Sequence, residues 1–133
     1  MMKHRIYGVG TDIVELARIE RILRKDKHEK FLQRILTKKE LELCRNKERG
    51  IIAFAGGRFA AKEAVAKALG TGIGKIVGFQ DIEILPDANG KPECLISEKA
   101  RQRLQLPSPV IHISISHSQS YATAMAVAET WEK

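Results

Sequence analysis

Three charged residues in this sequence could together bind a metal ion and an anion. Glu63 and Lys67 lie one turn apart in the stretch Arg58 to Gly74, which combines strong helix formers with a glycine-rich end. Asp12 follows a short apolar run that ends in glycine. Carboxylates from two separate elements suit Mg²⁺, which keeps several waters and takes few protein ligands. The plainer alternatives are a surface Glu–Lys pair, worth about 0.2–0.5 kcal/mol, and a helix-capping aspartate.

The glycine-rich end and a later histidine are further candidates for binding an anion. The loop from Gly70 to Gly74 allows a ligand to approach the backbone closely, and Arg58 and Lys62 add positive charge nearby. This loop matches neither a Walker motif nor a dinucleotide-binding fingerprint. His117 ends an alternating strand and could donate to an anion. A lone histidine is more often structural, however, and no GxSxG elbow accompanies it.

The composition is that of one globular domain, which we expect to span residues 1–133. Hydrophobic residues make up 44% of the chain and charged residues 29%, and both values are ordinary. No apolar run approaches the roughly 20 residues that cross a bilayer, and no signal peptide is visible. Cys44 and Cys94 lie far apart, without metal-ligand spacing. We therefore expect a reduced, cytoplasmic setting and no membrane association.

Positive charge is concentrated in the first third of the chain. The net charge is +7, and residues 1–49 hold 14 Lys and Arg against 8 Asp and Glu. Arg18, Arg21 and Lys25 share one face of a predicted helix with the apolar Ile22, a pattern that favours an acidic amphipathic partner helix. Aromatic residues make up only 5%. The sequence therefore offers little for base stacking on nucleic acid.

Periodicity and turn residues predict an α+β fold, with a mostly antiparallel sheet packed against a long helix. Thr11 or Asp12 is expected to cap a first helix that begins near Ile13. Asn89-Gly90 predicts a hairpin turn. Strands are predicted at 6–10, 81–85, 93–96, 110–116 and 121–129, and further helices at 38–45, 51–69 and 97–104.

Two shorter patterns refine the predicted helices. Thr37 and Glu40 have the spacing of a capping box at the start of the helix over 38–45. Gly56 and Gly57 fall inside the long helix, where glycine weakens helix formation. They therefore predict that the long helix packs closely against another element.

In combination, these motifs resemble the holo-acyl-carrier-protein synthases, the short bacterial class of 4′-phosphopantetheinyl transferases. The blocks occur in order over essentially the whole chain, and each is weak alone. They are Gly10-Thr11-Asp12-Ile13 with Arg18-Ile19; Arg58-Phe59-Ala60-Ala61-Lys62-Glu63-Ala64 with Lys67-Ala68 and Gly70-Thr71-Gly72; Asp81-Ile82-Glu83-Ile84; Asn89-Gly90-Lys91-Pro92; and Ser114-Ile115-Ser116-His117-Ser118 with Tyr121-Ala122.

The resemblance implies that phosphopantetheine passes from coenzyme A to a serine of apo-acyl carrier protein, releasing adenosine 3′,5′-bisphosphate. It implies that Asp12 and Glu63 hold Mg²⁺ and that Lys67 meets the pyrophosphate, which makes these three the catalytic candidates. The general base stays open between Glu63 and a metal-bound water. The residues implied to bind coenzyme A are Arg58, Lys67, Gly70, Thr71, Asn89, Gly90, Lys91, His117 and Ser118.

The resemblance also implies two kinds of protein contact. Arg18, Arg21, Ile22 and Lys25 would dock the acidic helix of the carrier protein, and the chain would form a homotrimer with coenzyme A bound between subunits. Two alternatives are a basic nucleic-acid-binding domain and a different Mg²⁺-dependent enzyme that cleaves the pyrophosphate of a free nucleotide. DNA retention without transfer would favour the first alternative, and activity without carrier protein the second.

Overall fold

The computed structural model describes residues 3–47 and 50–132, which form an α+β fold. Two single 3₁₀ turns, Lys27–Glu29 and Phe79–Asp81, connect longer elements. The strands are β1 (Lys3–Glu15), β2 (Ile82–Pro86), β3 (Pro92–Ile96), β4 (Val110–His117) and β5 (Tyr121–Glu132). The helices are α1 (Leu16–Arg24), α2 (Lys30–Ile35), α3 (Lys38–Arg45), α4 (Ile51–Ala68) and α5 (Glu98–Leu104). Among the described residues, none of the helices has the length and apolar character to span a membrane.

Helix α4 packs against an antiparallel sheet in which the strand order is β1-β5-β4. Its contact surface consists of small residues, among them Ala60, Ala61 and Ala64, all fully buried. The inner face of β5, which packs against this surface, has a buried alanine at every second position from Ala122 to Ala128. Because both surfaces consist of small side chains, the helix packs close to the sheet. The predicted arrangement of the sheet and the long helix is confirmed.

Two glycines bring β1 into contact with the backbone of α4. A Cβ atom added to Gly8 would lie 2.0 Å from the carbonyl oxygen of Ala68, and one added to Gly10 would lie 2.0 Å from that of Ala64. Real Cβ atoms do not approach so closely, so any side chain there forces the strand and helix apart. Strand β1 is therefore positioned by contact between two main chains.

Replacing Gly10 by alanine is expected to destabilise the fold by about 3 kcal/mol, since the added methyl overpacks a contact made by backbone on both sides. Urea unfolding followed by circular dichroism measures this change. Gly74→Ala is the matched control, because a Cβ there meets nothing within 4 Å. Equal stability of the two variants would contradict the close contact.

The predicted boundary between the first strand and the first helix is wrong. Strand β1 continues to Glu15, and α1 begins at Leu16. Asp12 pairs with Ala124 of β5, so it lies within the sheet and does not cap a helix. The β-branched Ile13 and Val14 alternate between outer and inner faces here, as strand residues do.

The other local predictions are confirmed. Thr37 and Glu40 form a capping box at the start of α3. Strands β2 and β3 form a hairpin in register from Ile82–Ile96 to Pro86–Pro92, with Gly90 at positive φ in the turn. A Cβ on Gly56 would lie 2.6 Å from the Leu16 side chain, as the close-packing prediction requires.

The sheet face turned away from α4 is apolar and exposed. At one end of this face the carboxylate of Glu129 contacts the imidazoles of both His4 and His112. Scattered apolar residues are normal on surfaces, but an apolar stripe across three strands is typical of an interaction surface. The exposed apolar residues of this outer face are Ile6, Val9, Ile13, Val110, Tyr121, Met125 and Trp131.

Candidate active site

Asp12, Glu63 and Lys67 come together where β1 crosses α4. The Lys67 Nζ donates to Asp12 Oδ1 at 3.1 Å and to the Thr11 carbonyl oxygen at 3.0 Å. Glu63 lies one turn earlier on the same helix. The Asp12 side chain is 18% exposed and that of Lys67 is 49% exposed. The structure thus joins the three residues that the sequence singled out as catalytic candidates.

The electrostatics of this cluster favour a bound cation. Partial burial and the nearby charge of Asp12 raise the pKa of Glu63, while Lys67 opposes that shift. The single positive charge of Lys67 only partly compensates the two carboxylates, which repel each other. A divalent cation bound between the carboxylates would relieve this repulsion.

The donor set fits Mg²⁺ better than a transition metal. Among residues 3–47 and 50–132, no three histidine, cysteine, aspartate or glutamate side chains form a group that could hold a metal ion. Mg²⁺ needs only one or two carboxylates when substrate phosphates and waters complete its shell. Asp12 and Glu63 supply that number, and both are hard oxygen donors.

The loop after α4 is folded onto the helix end. Gly70 and Gly72 have φ values of 85° and 65°, which favour glycine. The backbone N–H groups of Thr71 and Gly72 both donate to the Ala66 carbonyl oxygen at 3.1 Å. Since these amides already donate to the helix, the loop has few free backbone donors for a ligand. A Cβ on Gly70 or Gly72 would meet nothing within 4 Å, so a ligand can still approach the loop surface.

The prediction that Lys62 adds positive charge near Glu63 is wrong. Its side chain is fully buried on a different face of α4, where Nζ donates to Glu40 Oε1 at 2.6 Å. It also donates to the carbonyl oxygens of Ile35 and Phe79. Burial lowers the pKa of Lys62, and Glu40 opposes the shift.

Arg58 lies one turn before Lys62, with its side chain 12% exposed. Its Nε donates to the Ile84 carbonyl oxygen at 3.1 Å, and its guanidinium lies 4.5 Å from the centre of the Phe54 ring. Lys47 places its Nζ 5.4 Å from the same ring. The sequence does not reveal this cluster, because only the fold brings residues 47, 54 and 58 together.

The remaining predicted ligands lie at opposite ends of β4. The Asn89-Gly90-Lys91 turn is exposed, and Asp87 accepts from the backbone N–H groups of Asn89 and Lys91. Lys91 borders a hollow that also includes Val110 and His112, at the start of β4. His117, at the other end, lines a cleft of about 800 Å³ with Ser118 and the first turns of α1 and α4. The single chain does not gather them into one pocket.

The predicted docking residues form a continuous exposed ridge on α1. Arg18, Arg21 and Lys25 are exposed, while Ile22 is half-buried between them. The opposite face of the helix is held in the core by Ile19, which is 1% exposed. The ridge is therefore available to a partner.

Comparison with known proteins places these features in a family. The model of the 4′-phosphopantetheinyl transferase superfamily matches residues 8–126. The holo-[acyl-carrier-protein] synthase of Geobacillus sp. (strain WCH70) is 48% identical over 125 residues, which covers 93% of this chain and 97% of that protein. The match to the family model includes the position of every residue of the candidate site.

Solved structures give the same result. The crystal structure of a Bacillus anthracis holo-(acyl-carrier-protein) synthase in complex with CoA (3′,5′-ADP) matches with a TM-score of 0.79 at 44% identity, covering 94% of this chain and 97% of that one. The Helicobacter pylori holo-[acyl-carrier-protein] synthase in complex with coenzyme A matches with a TM-score of 0.79 at 37% identity, covering 90% and 98%. The resemblance seen in the sequence is confirmed, and the chain belongs to the 4′-phosphopantetheinyl transferase superfamily, among its holo-[acyl-carrier-protein] synthases.

Proposed function

We propose that this protein transfers 4′-phosphopantetheine from coenzyme A to a serine of apo-acyl carrier protein and releases adenosine 3′,5′-bisphosphate. The observation that carries the proposal is the meeting of Asp12, Glu63 and Lys67 in a chain of this family. Two relatives of the same fold have been crystallised with coenzyme A or with CoA (3′,5′-ADP). Cys44 and Cys94 are free thiols, as suits a reducing cytoplasm.

The reaction replaces one P–O bond by another. The serine hydroxyl of the carrier protein gives its proton to a general base, and its oxygen attacks the phosphorus next to pantetheine. The bond from that phosphorus to the oxygen of the leaving adenosine 3′,5′-bisphosphate breaks. Mg²⁺ held by Asp12 and Glu63 would neutralise charge on the transferring and leaving phosphates. Lys67 reaches the same point on a flexible, half-exposed side chain, so its ammonium can turn from Asp12 to the pyrophosphate.

Coenzyme A would lie across two subunits of a homotrimer. The metal ligands and Lys67 lie beside β1, whereas Lys91 and His117 lie at opposite ends of β4. A cleft between neighbouring subunits can bring together groups that one chain keeps apart. The apolar outer face, with Val9 and Met125 exposed at its centre, is the surface on which the subunits would pack.

The ridge on α1 is the proposed docking surface for the acidic carrier protein. Arg18, Arg21 and Lys25 attract the partner by charge, and Ile22 gives it an apolar contact. Arg24 is engaged with Glu20 at 2.7 Å, so it contributes less free charge. This arrangement accounts for part of the excess of positive charge in the first third of the chain.

Reversing the charge of Arg18 should raise the KM for carrier protein by about tenfold, because an attractive docking contact becomes repulsive. The KM for coenzyme A should stay within about twofold, since none of the predicted coenzyme A ligands lies on this ridge. Steady-state kinetics of Arg18→Glu measure both constants. Lys99→Glu, an exposed change on α5, controls for net charge. Equal increases in both KM values would contradict the assignment.

Mass spectrometry tests the proposed function directly. Apo-carrier protein incubated with the chain, coenzyme A and Mg²⁺ should gain the mass of one phosphopantetheine group. The gain should disappear when the acceptor serine is replaced by alanine. Cleavage of coenzyme A without a carrier protein would instead show a pyrophosphate-cleaving enzyme, and an unmodified carrier with intact coenzyme A would refute the proposal.

A further inference from the structure

A buried cluster of three charges lies on a different face of α4 from Glu63. Lys62 and Glu40 are both fully buried, and Arg58 lies one helical turn away. Lys62 Nζ uses its three donors on Glu40 Oε1 and on the carbonyl oxygens of Ile35 and Phe79. The lysine is therefore saturated and has no donor left for a ligand.

Glu40 is equally engaged. Its Oε1 accepts from Lys62 and from the Thr37 backbone N–H at 2.7 Å, and its Oε2 accepts from the Ile84 backbone N–H at 2.9 Å. Arg58 Nε lies 4.0 Å from the same Oε2. The carboxylate lies between two cations, and its close contact is with the lysine.

The cluster holds two positive charges and one negative charge, and the excess lies on Arg58. Arg58 is fixed by Ile84 and Phe54 through Nε and its planar face. Its terminal nitrogens make no hydrogen bond or ion pair with any residue in the described part of the chain. An oriented, partly buried cation with free donors is suited to bind an anion such as a phosphate.

We propose that Lys62 is a positioning residue for substrate binding: it holds the Glu40 carboxylate, so that Arg58 keeps its charge and its outer nitrogens for a phosphate group of coenzyme A. This inference rests on the proposed function. Without Lys62, the Glu40 carboxylate would lose its lysine partner and would form an ion pair with Arg58, whose Nε lies 4.0 Å from Glu40 Oε2. That internal pair would compete with the phosphate.

Replacing the two members of the buried pair should then affect coenzyme A binding differently. Lys62→Met should raise the Kd and the KM for coenzyme A by about tenfold, since Arg58 is neutralised from within. Glu40→Gln should leave both constants unchanged or lower them, since it removes the competing anion. The double variant should return close to the wild-type values. In all three, the KM for carrier protein should change by less than about twofold.

Calorimetry with coenzyme A and steady-state kinetics measure these constants, and circular dichroism and light scattering verify fold and assembly. Lys39→Met and Glu42→Gln, exposed changes on α3, are the matched controls. Removing one buried partner is strongly destabilising. If Lys62→Met does not fold, the coenzyme A affinities of Glu40→Gln and of the double variant still test the proposal. Weaker coenzyme A binding in either would show a merely structural role and overturn the proposal. Absence of binding and transfer in the wild type would instead refute the proposed function.

Discussion

The variant Glu63→Gln should lose phosphopantetheine transfer by about a thousandfold or more while remaining folded. The amide keeps the shape of the side chain but removes half of the carboxylate pair that would hold Mg²⁺. Electrostatic stabilisation of this kind lowers the activation free energy by several kcal/mol, and a change of about 1.4 kcal/mol is a factor of ten in rate. Asp12→Asn should have a similar effect, because it removes the other carboxylate. Single-turnover transfer followed by mass spectrometry measures the loss.

The stability of Glu63→Gln should equal or exceed that of the wild type at pH 7. Burial and the charge of Asp12 raise the folded-state pKa of Glu63 above its unfolded value. Ionised Glu63 therefore costs folding free energy at neutral pH, and this cost disappears as the pH falls through the folded pKa. Thermal unfolding at pH 7 and at acidic pH follows the difference. Glu98→Gln, at an exposed position, is the control, and full transfer activity in Glu63→Gln would remove the metal assignment.

Placing a charge on the apolar outer face should separate the subunits and abolish transfer. Val9 is 57% exposed in the single chain, so Val9→Asp should leave the fold intact. In the proposed homotrimer the same position is buried, where an unpaired carboxylate costs several kcal/mol. Since the site would need two subunits, activity should fall by about a hundredfold or more at micromolar concentrations. Light scattering measures the molecular mass, and the transfer assay measures activity.

Leu95→Asp provides a matched control for this experiment. Leu95 is also an exposed apolar strand residue, but it lies on β3 in the two-stranded sheet. A trimeric and active Leu95→Asp beside a monomeric, inactive Val9→Asp would support the proposed interface. A monomeric Val9→Asp with full activity would show that one chain suffices for catalysis.

Elements with a dominant local signal could be predicted from the sequence. The hairpin around Asn89-Gly90 and the capping box at Thr37 follow from a few adjacent residues. The end of β1 does not. Thr11 and Asp12 are good capping residues, so a helix start there is locally reasonable. Pairing with β5 along its length overrides that preference, and no local pattern reveals such pairing.

In the candidate site, too, some features could be predicted from the sequence and others depend on the fold. The sequence singled out Asp12, Glu63 and Lys67 only through the combination of motifs, since each residue alone is explained as well by a surface ion pair or a helix cap. It misplaced Lys62, since helix periodicity separates the faces of a helix but does not tell which face meets which neighbour. The fully buried Glu40, which lies 22 positions earlier in the chain, decides that question.

The glycines of β1 have a consequence for how this family can vary. Because Gly8 and Gly10 touch the main chain of α4, the spacing between Asp12 and Glu63 is fixed by peptide groups, which are the same whatever the surrounding side chains are. Evolution should therefore resist even the smallest possible addition, a single methyl group, at these two glycines.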